Sequence, residues 1–88
     1  MGTILLGLNV LGWMSGHYWD VNNHEHGFVV SPRGKFYPID VPGAATNLAA
    51  GGTAGGNIND LGVLAGHYDP ADGSPDRGYT VQIPNDWR

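Results

Sequence analysis

Cysteine is absent from this chain of 88 residues, which excludes a disulfide framework and any thiolate metal site. Basic residues are scarce: four Lys and Arg stand against eight Asp and Glu, for a net charge of −4. So few cations cannot line a phosphate backbone or an anionic bilayer, so nucleic acid and acidic membrane surfaces are not expected partners. No apolar run is long enough to cross a bilayer as a helix, and membrane insertion is not expected. An apolar period of about 3.6 residues is also missing, so essentially no helix is expected. The chain holds no Gly-x-Ser-x-Gly elbow and no phosphate loop, and it has no thiol nucleophile. It is therefore read as a protein that is not an enzyme and uses no cofactor.

Glycine is abundant instead, with 15 copies alongside 6 prolines, set among Trp, Tyr, Phe, Ile and Val. That mixture points to short strands joined by tight turns. The chain also says nearly the same thing twice. Asn9-Val10-Leu11-Gly12-Trp13-Met14-Ser15-Gly16-His17-Tyr18 returns as Asn59-Asp60-Leu61-Gly62-Val63-Leu64-Ala65-Gly66-His67-Tyr68. One residue out of step, His26-Gly27-Phe28-Val29-Val30 is echoed by Arg77-Gly78-Tyr79-Thr80-Val81. Such an echo is the mark of a repeat architecture. Asn9, Gly12, Gly16, His17 and Tyr18, with Asn59, Gly62, Gly66, His67 and Tyr68, are read as structural repeat positions. The apolar stretch at 4–14 resembles a secretory leader, but no Lys or Arg precedes it and Asn9 interrupts it. Its match to 58–68 marks it as the first repeat, and no signal peptide is expected here.

Strands are expected at 3–9, 13–20, 26–31 and 35–41 in the first copy, and at 63–69 and 77–83 in the second. Between the copies, 49–56 is small and flexible. Part of it carries another strand ending at 57–59, and the remainder is expected to be a mobile loop. Four strands and then three make seven. Pro38 donates no ladder hydrogen bond, so the fourth strand belongs at a sheet edge. There Tyr37, Ile39 and Val41 share one face, and Phe36, Pro38 and Asp40 the other. Gly16 and Gly66, each inside a strand, imply close backbone approach or a bulge. Asn9 and Asn59 are expected to cap their own turns.

These motifs carry a family resemblance. Ile58-Asn59-Asp60-Leu61-Gly62-Val63-Leu64-Ala65-Gly66-His67-Tyr68 resembles the I-N-D-x-G-x-V-x-G-x-Y core of the HAF family of extracellular repeats. His26-Gly27-Phe28 matches its H-G/A-F element. Gly34-Lys35-Phe36-Tyr37-Pro38-Ile39-Asp40-Val41-Pro42-Gly43-Ala44 resembles its G-x-F-x-x-I-D-x-P-G-A segment. Val10 departs from the pattern, which has Asp there, and the loop before Asn57 is longer than the usual spacing. The resemblance implies an extracellular or cell-surface setting, four-stranded units of propeller-blade type, and no known catalytic residues.

The fold class expected is thus all-β: two tandem blade-like antiparallel β-meander units, at 1–48 and 49–88, in one small structural unit. Propellers close with about four to eight blades, so two cannot close a ring alone. An isolated pair would leave a large apolar face and open strand edges. Completion by self-assembly is expected, either as a closed trimeric ring or as an open filament. The ring is the layout of small two-repeat lectins, which this chain resembles in size and layout. A fragment of a longer array is the other arrangement.

Among residues that carry chemistry, His17, His24, Glu25 and His26 suggest a metal site, since His24 and His26 alternate along a strand. Only His17 recurs in the second copy, so these are read as structural or solvent-facing, with no metal. Asp69, Asp72 and Asp76 crowd a glycine turn but lack the alternating ligands and bidentate Glu of a calcium loop. An Asx-type turn is expected. Binding is the better alternative to a purely structural role. Trp19, Trp87, His24, His26 and Arg77 are candidate ligand-binding residues, with a glycan as the ligand, because aromatic faces beside polar turns suit sugar rings. Trp19 stands where the second copy has Asp69, so the repeat itself does not require it.

Overall fold

A computed structural model describes residues 2–42, 44, 52–72 and 74–87. Strands β1 (Gly2–Leu8), β2 (Met14–Trp19), β3 (Glu25–Val30) and β4 (Phe36–Ile39) form one antiparallel sheet in chain order. Strands β5 (Thr53–Ile58), β6 (Val63–Tyr68) and β7 (Arg77–Gln82) form a second. The protein is all-β, and the helical residues among those described are a single 3₁₀ turn at Asn85–Trp87. Strand boundaries fall within two residues of those expected from sequence.

The stretch between the copies carries a strand where one was expected to end, at 57–59. Residues 45–51, which include the expected boundary between the repeats, lie outside the described residues. Thr53, Ala54, Gly55 and Gly56 belong to this strand, β5, and 49–51, where the loop was expected, lie outside the described residues. Glycine is needed on both sides of this strand: a Cβ on Gly56 would collide with the Ala65 carbonyl oxygen of the pairing strand β6. A Cβ on Gly55 would collide with the Gly16 carbonyl oxygen, so only glycine lets β5 lie directly on β2.

The strand-linking turns are built by the recurring Asn and Gly. Asn9 Oδ1 accepts hydrogen bonds from the backbone N–H groups of Leu11 and Trp13, both at 3.0 Å. Asn59 Oδ1 does the same for Leu61 at 3.0 Å and Val63 at 2.9 Å. Gly12 and Gly62 then take positive φ values of 92° and 81°, which a side chain would strain.

Register divides the first sheet into two faces. On its inner face lie the rows Ile4–His17–Gly27–Ile39 and Gly7–Ser15–Val29. This face packs on the second sheet, where Leu64, Tyr79 and Val81 meet it. Trp13, Val29, Ile39, Ile58, Leu64 and Ile83 make the shared core. Toward β5 the sheets touch backbone to backbone, closer than the roughly 10 Å of side-chain-separated sheets. Ser15 Oγ donates to the Gly56 carbonyl at 2.6 Å, and His17 Nδ1 bonds the Gly55 carbonyl at 3.3 Å. The end of the chain returns to the first sheet: Trp87 stacks on Tyr37 with ring centroids 4.2 Å apart and planes 4° from parallel. The second sheet therefore has no fourth strand among the described residues, and its β7 edge stays open.

The outer face of the first sheet carries the rows Thr3–Tyr18–His26, Leu5–Gly16–Phe28–Pro38 and Leu8–Met14–Val30–Phe36. Tyr18, Phe28 and Phe36 touch as an aromatic cluster, with Phe28 beneath the other two. Leu5, Leu8 and Phe36 remain 57%, 70% and 48% exposed. The outer face of the second sheet is different, presenting Val63, Ala65, His67, Gly78, Thr80 and Gln82.

Candidate functional site

A cluster of ionisable groups lies at one end of the first sheet. His26, on β3, is held between two carboxylates, with Nδ1 2.6 Å from Asp40 Oδ1 and Nε2 2.8 Å from Asp20 Oδ2. A carboxylate can only accept, so a ring held by one at each nitrogen is favoured in its doubly protonated, cationic form. Burial opposes that charge, but the hydrogen bonds to Asp20 and Asp40 outweigh it and raise the His26 pKa. The His26 hydrogen bond also lowers the Asp20 carboxyl to about 2, helped by the backbone N–H groups of His24 and Asn22. Those N–H groups belong to the turn that Asp20 caps, where Asn23 adopts φ 63°.

Beside this cluster a cleft of about 280 Å³ is lined by His24, Glu25, His26, Asp40, Val41, Ala44 and Thr53. Glu25 points the other way along the strand from His26, toward His17, whose Nε2 is 3.6 Å from Glu25 Oε2. A carbonyl only accepts, so His17 Nδ1 carries the proton it shares with Gly55, and Nε2 faces the carboxyl. Burial raises the Glu25 pKa against the pull of His17. No group of three or more His, Asp or Glu among the described residues is arranged to hold a metal ion.

A second cleft, of about 210 Å³, is lined by Ser31, Arg33, Lys35, Tyr37, Asp86 and Trp87. The Lys35 ammonium lies 5.4 Å from the Tyr37 ring centroid, beside the Tyr37–Trp87 stack.

Of the candidate ligand-binding residues, the fold brings His24 and His26 to one cleft and leaves Trp87 at another. Trp19 packs edge-on against His17 on the inner face of the first sheet, and Arg77 is exposed at the start of β7 opposite Tyr68. They do not converge on a single sugar site. Sequence reading missed Asp20 and Asp40 as the partners of His26, because fourteen residues separate Asp40 from His26 and only strand pairing joins them. It also missed Arg33, Lys35 and Tyr37 around Trp87. The alternation of Phe36, Tyr37 and Pro38 along β4 was a usable signal for Tyr37, but nothing in the sequence marks it as the stacking partner of Trp87. In the acidic turn, Asp72 Oδ1 accepts from Ser74 N–H at 2.9 Å and Ser74 Oγ–H at 2.6 Å, an Asx-type arrangement.

The two repeat turns are joined directly. Asn9 Nδ2 donates to the Asn59 carbonyl at 3.0 Å, and the Val10 N–H donates to Asp60 Oδ1 at 3.0 Å. The carboxylate at position 60 thus serves the turn of the preceding repeat.

The chain matches no family model, no curated protein and no solved structure. Its likeness to HAF repeats rests on the motifs quoted above.

Proposed function

We propose that this protein is a non-enzymatic repeat module that self-assembles through its β-sheets into a homo-oligomer with a structural or scaffold role, as a closed ring or an open filament. One observation carries this reading: the outer face of the first sheet is apolar and aromatic yet uncovered, with Leu5, Leu8 and Phe36 largely exposed. Patches of this kind on small soluble domains mark interaction surfaces. The Leu-rich β1 is also an edge strand, with unpaired backbone groups along one side. A role without catalysis is supported by His26, whose two nitrogens are both engaged by carboxylates of the same sheet end and leave no free ring nitrogen facing the cleft. An extracellular or cell-surface setting belongs to the same proposal and is supported by the HAF resemblance.

Size exclusion with light scattering tests the proposal. A discrete trimer supports a ring of six sheets, and large polydisperse species support a filament. A monomer at every concentration sinks the proposal.

The second cleft favours glycan binding as an alternative role. There a rigid aromatic pair, Tyr37 and Trp87, lies beside Arg33, Lys35 and Asp86. The basic groups suit an acidic sugar. A uronate-containing oligosaccharide then raises the melting temperature by mass action, and Trp87→Ala removes the effect. An unchanged melting temperature across an acidic glycan panel rejects this alternative.

A further inference from the structure

We infer that copies of this chain stack head to tail, the outer face of the second sheet in one copy resting on the outer face of the first sheet in the next. This deepens the self-assembly proposed above and rests on it.

The two repeats differ, position by position, in which face is covered. Strand register extends the fifty-residue correspondence back through β1 and β5: Leu5 pairs with Gly16 as Gly55 pairs with Gly66. In the first sheet, Ser15 and Val29 lie on the inner face and are completely buried against the second sheet. Their counterparts, Ala65 and Thr80, lie on the outer face of the second sheet and are exposed. Conversely, fully buried Leu64 corresponds to Met14 on the uncovered outer face of the first sheet, and Tyr79 corresponds to Phe28 there. Each uncovered face is therefore the repeat-equivalent of a face that is covered inside the chain. The two uncovered faces are the two halves of one further sheet-on-sheet contact, and neither half matches itself. Such a contact is heterologous by construction.

The turns repeat the message. Asn9 Nδ2 is used to bond the Asn59 carbonyl of the following repeat. The equivalent Asn59 Nδ2 has no partner among the described residues, and it stands where Asn9 of a following copy would meet it.

The copy-to-copy contact is not an exact duplicate of the one within the chain. Leu5, with Leu6 beside it, replaces Gly55, so β1 cannot approach a neighbour as closely as β5 approaches β2. The face offered to those leucines is correspondingly small, with Ala65, Gly78 and Thr80 where the first sheet has Ser15, Gly27 and Val29.

The cysteine-free chain allows a direct test. Leu5→Cys and Ala65→Cys are made in separate chains, mixed in equal amounts with light-scattering mass recorded, and oxidised. Val21→Cys, exposed and away from both faces, gives the background rate. The expected result is a mixed Leu5→Cys/Ala65→Cys disulfide forming at least about tenfold faster than background, with each variant alone near background. A second pair, Met14→Cys with His67→Cys, shares no variant with the first and covers loss of folding in either member of it. Self-linking of Leu5→Cys at the rate of the mixture overturns the inference in favour of a symmetric contact. Background rates for both pairs, in a protein that still assembles, overturn the head-to-tail mode alone. A monomeric parent protein overturns the self-assembly reading itself.

Discussion

Asn9 and Asn59 occupy the same place in the two repeats, yet the fold loads them unequally. Asn9 is buried and makes three hydrogen bonds, one of them to the other repeat. Asn59 is exposed, and its side chain makes two, both within its own turn. At about 1 kcal/mol per bond, with more for those left unsatisfied in the interior, Asn9→Ala is expected to cost roughly 2–4 kcal/mol and Asn59→Ala about 1–2 kcal/mol. Urea denaturation of the two variants checks the ordering. His26 makes a second residue-scale prediction. Its pKa is raised from 6.5, so its contribution to stability is complete below that pH and disappears as pH climbs through the higher folded value. The Asp20 pKa is lowered from 3.8 to about 2, so its contribution is present above 3.8 and is lost as pH falls toward 2. The melting-temperature deficit of His26→Gln is therefore expected to be largest between about pH 4 and 6.5 and to shrink toward alkaline pH. A deficit that grows on the alkaline side contradicts the charged-imidazole assignment.

At the scale of elements, glycine decides how closely the sheets approach. Gly55 and Gly78 both sit within strands, but a Cβ on Gly55 meets the Gly16 carbonyl while one on Gly78 finds its nearest neighbour 3.8 Å away. Gly55→Ala is expected to destabilise by at least about 1–3 kcal/mol, because the backbone must move to admit the methyl group. In a domain of this size each kcal/mol corresponds to about 4–8 °C in melting temperature. Gly78→Ala should leave the melting temperature of the separated chain within a few degrees of the parent's. Equal effects in calorimetry would mean that β5 does not rest on β2 as described. The β-meander order itself was legible from residue pattern, since alternation and turn chemistry act locally. The packing of β5 was not, because a run of small residues looks the same in a loop and in a close sheet contact.

Across the whole molecule, the two sheets leave one apolar and one small-residue face uncovered, and the melting temperature should reveal it. The self-assembly proposed above would stabilise by mass action, so on that proposal a roughly hundredfold dilution is expected to lower the melting temperature measurably. Leu5→Asp with Phe36→Asp should abolish that concentration dependence while preserving the β-sheet circular dichroism. A melting temperature that is independent of concentration in the parent protein argues for a self-sufficient monomer.

The sequence alone determined the class of structure: all-β, two copies, four strands and then three, with Asn-Gly turns at matched positions. These features follow from short-range physics, in which side-chain alternation, positive-φ glycines and Asx capping each act within a few residues. Pro38 likewise announced an edge strand, and β4 is one. Tertiary structure decided what chain separation hides: that Asp20 and Asp40 clamp His26, that Asp60 caps the turn of the other repeat, and that Trp87 returns to Tyr37. It also decided which copy of each repeated face is covered. Equivalent residues such as Val29 and Thr80 carry the same local signal, and only the order of stacking makes one of them core and the other surface.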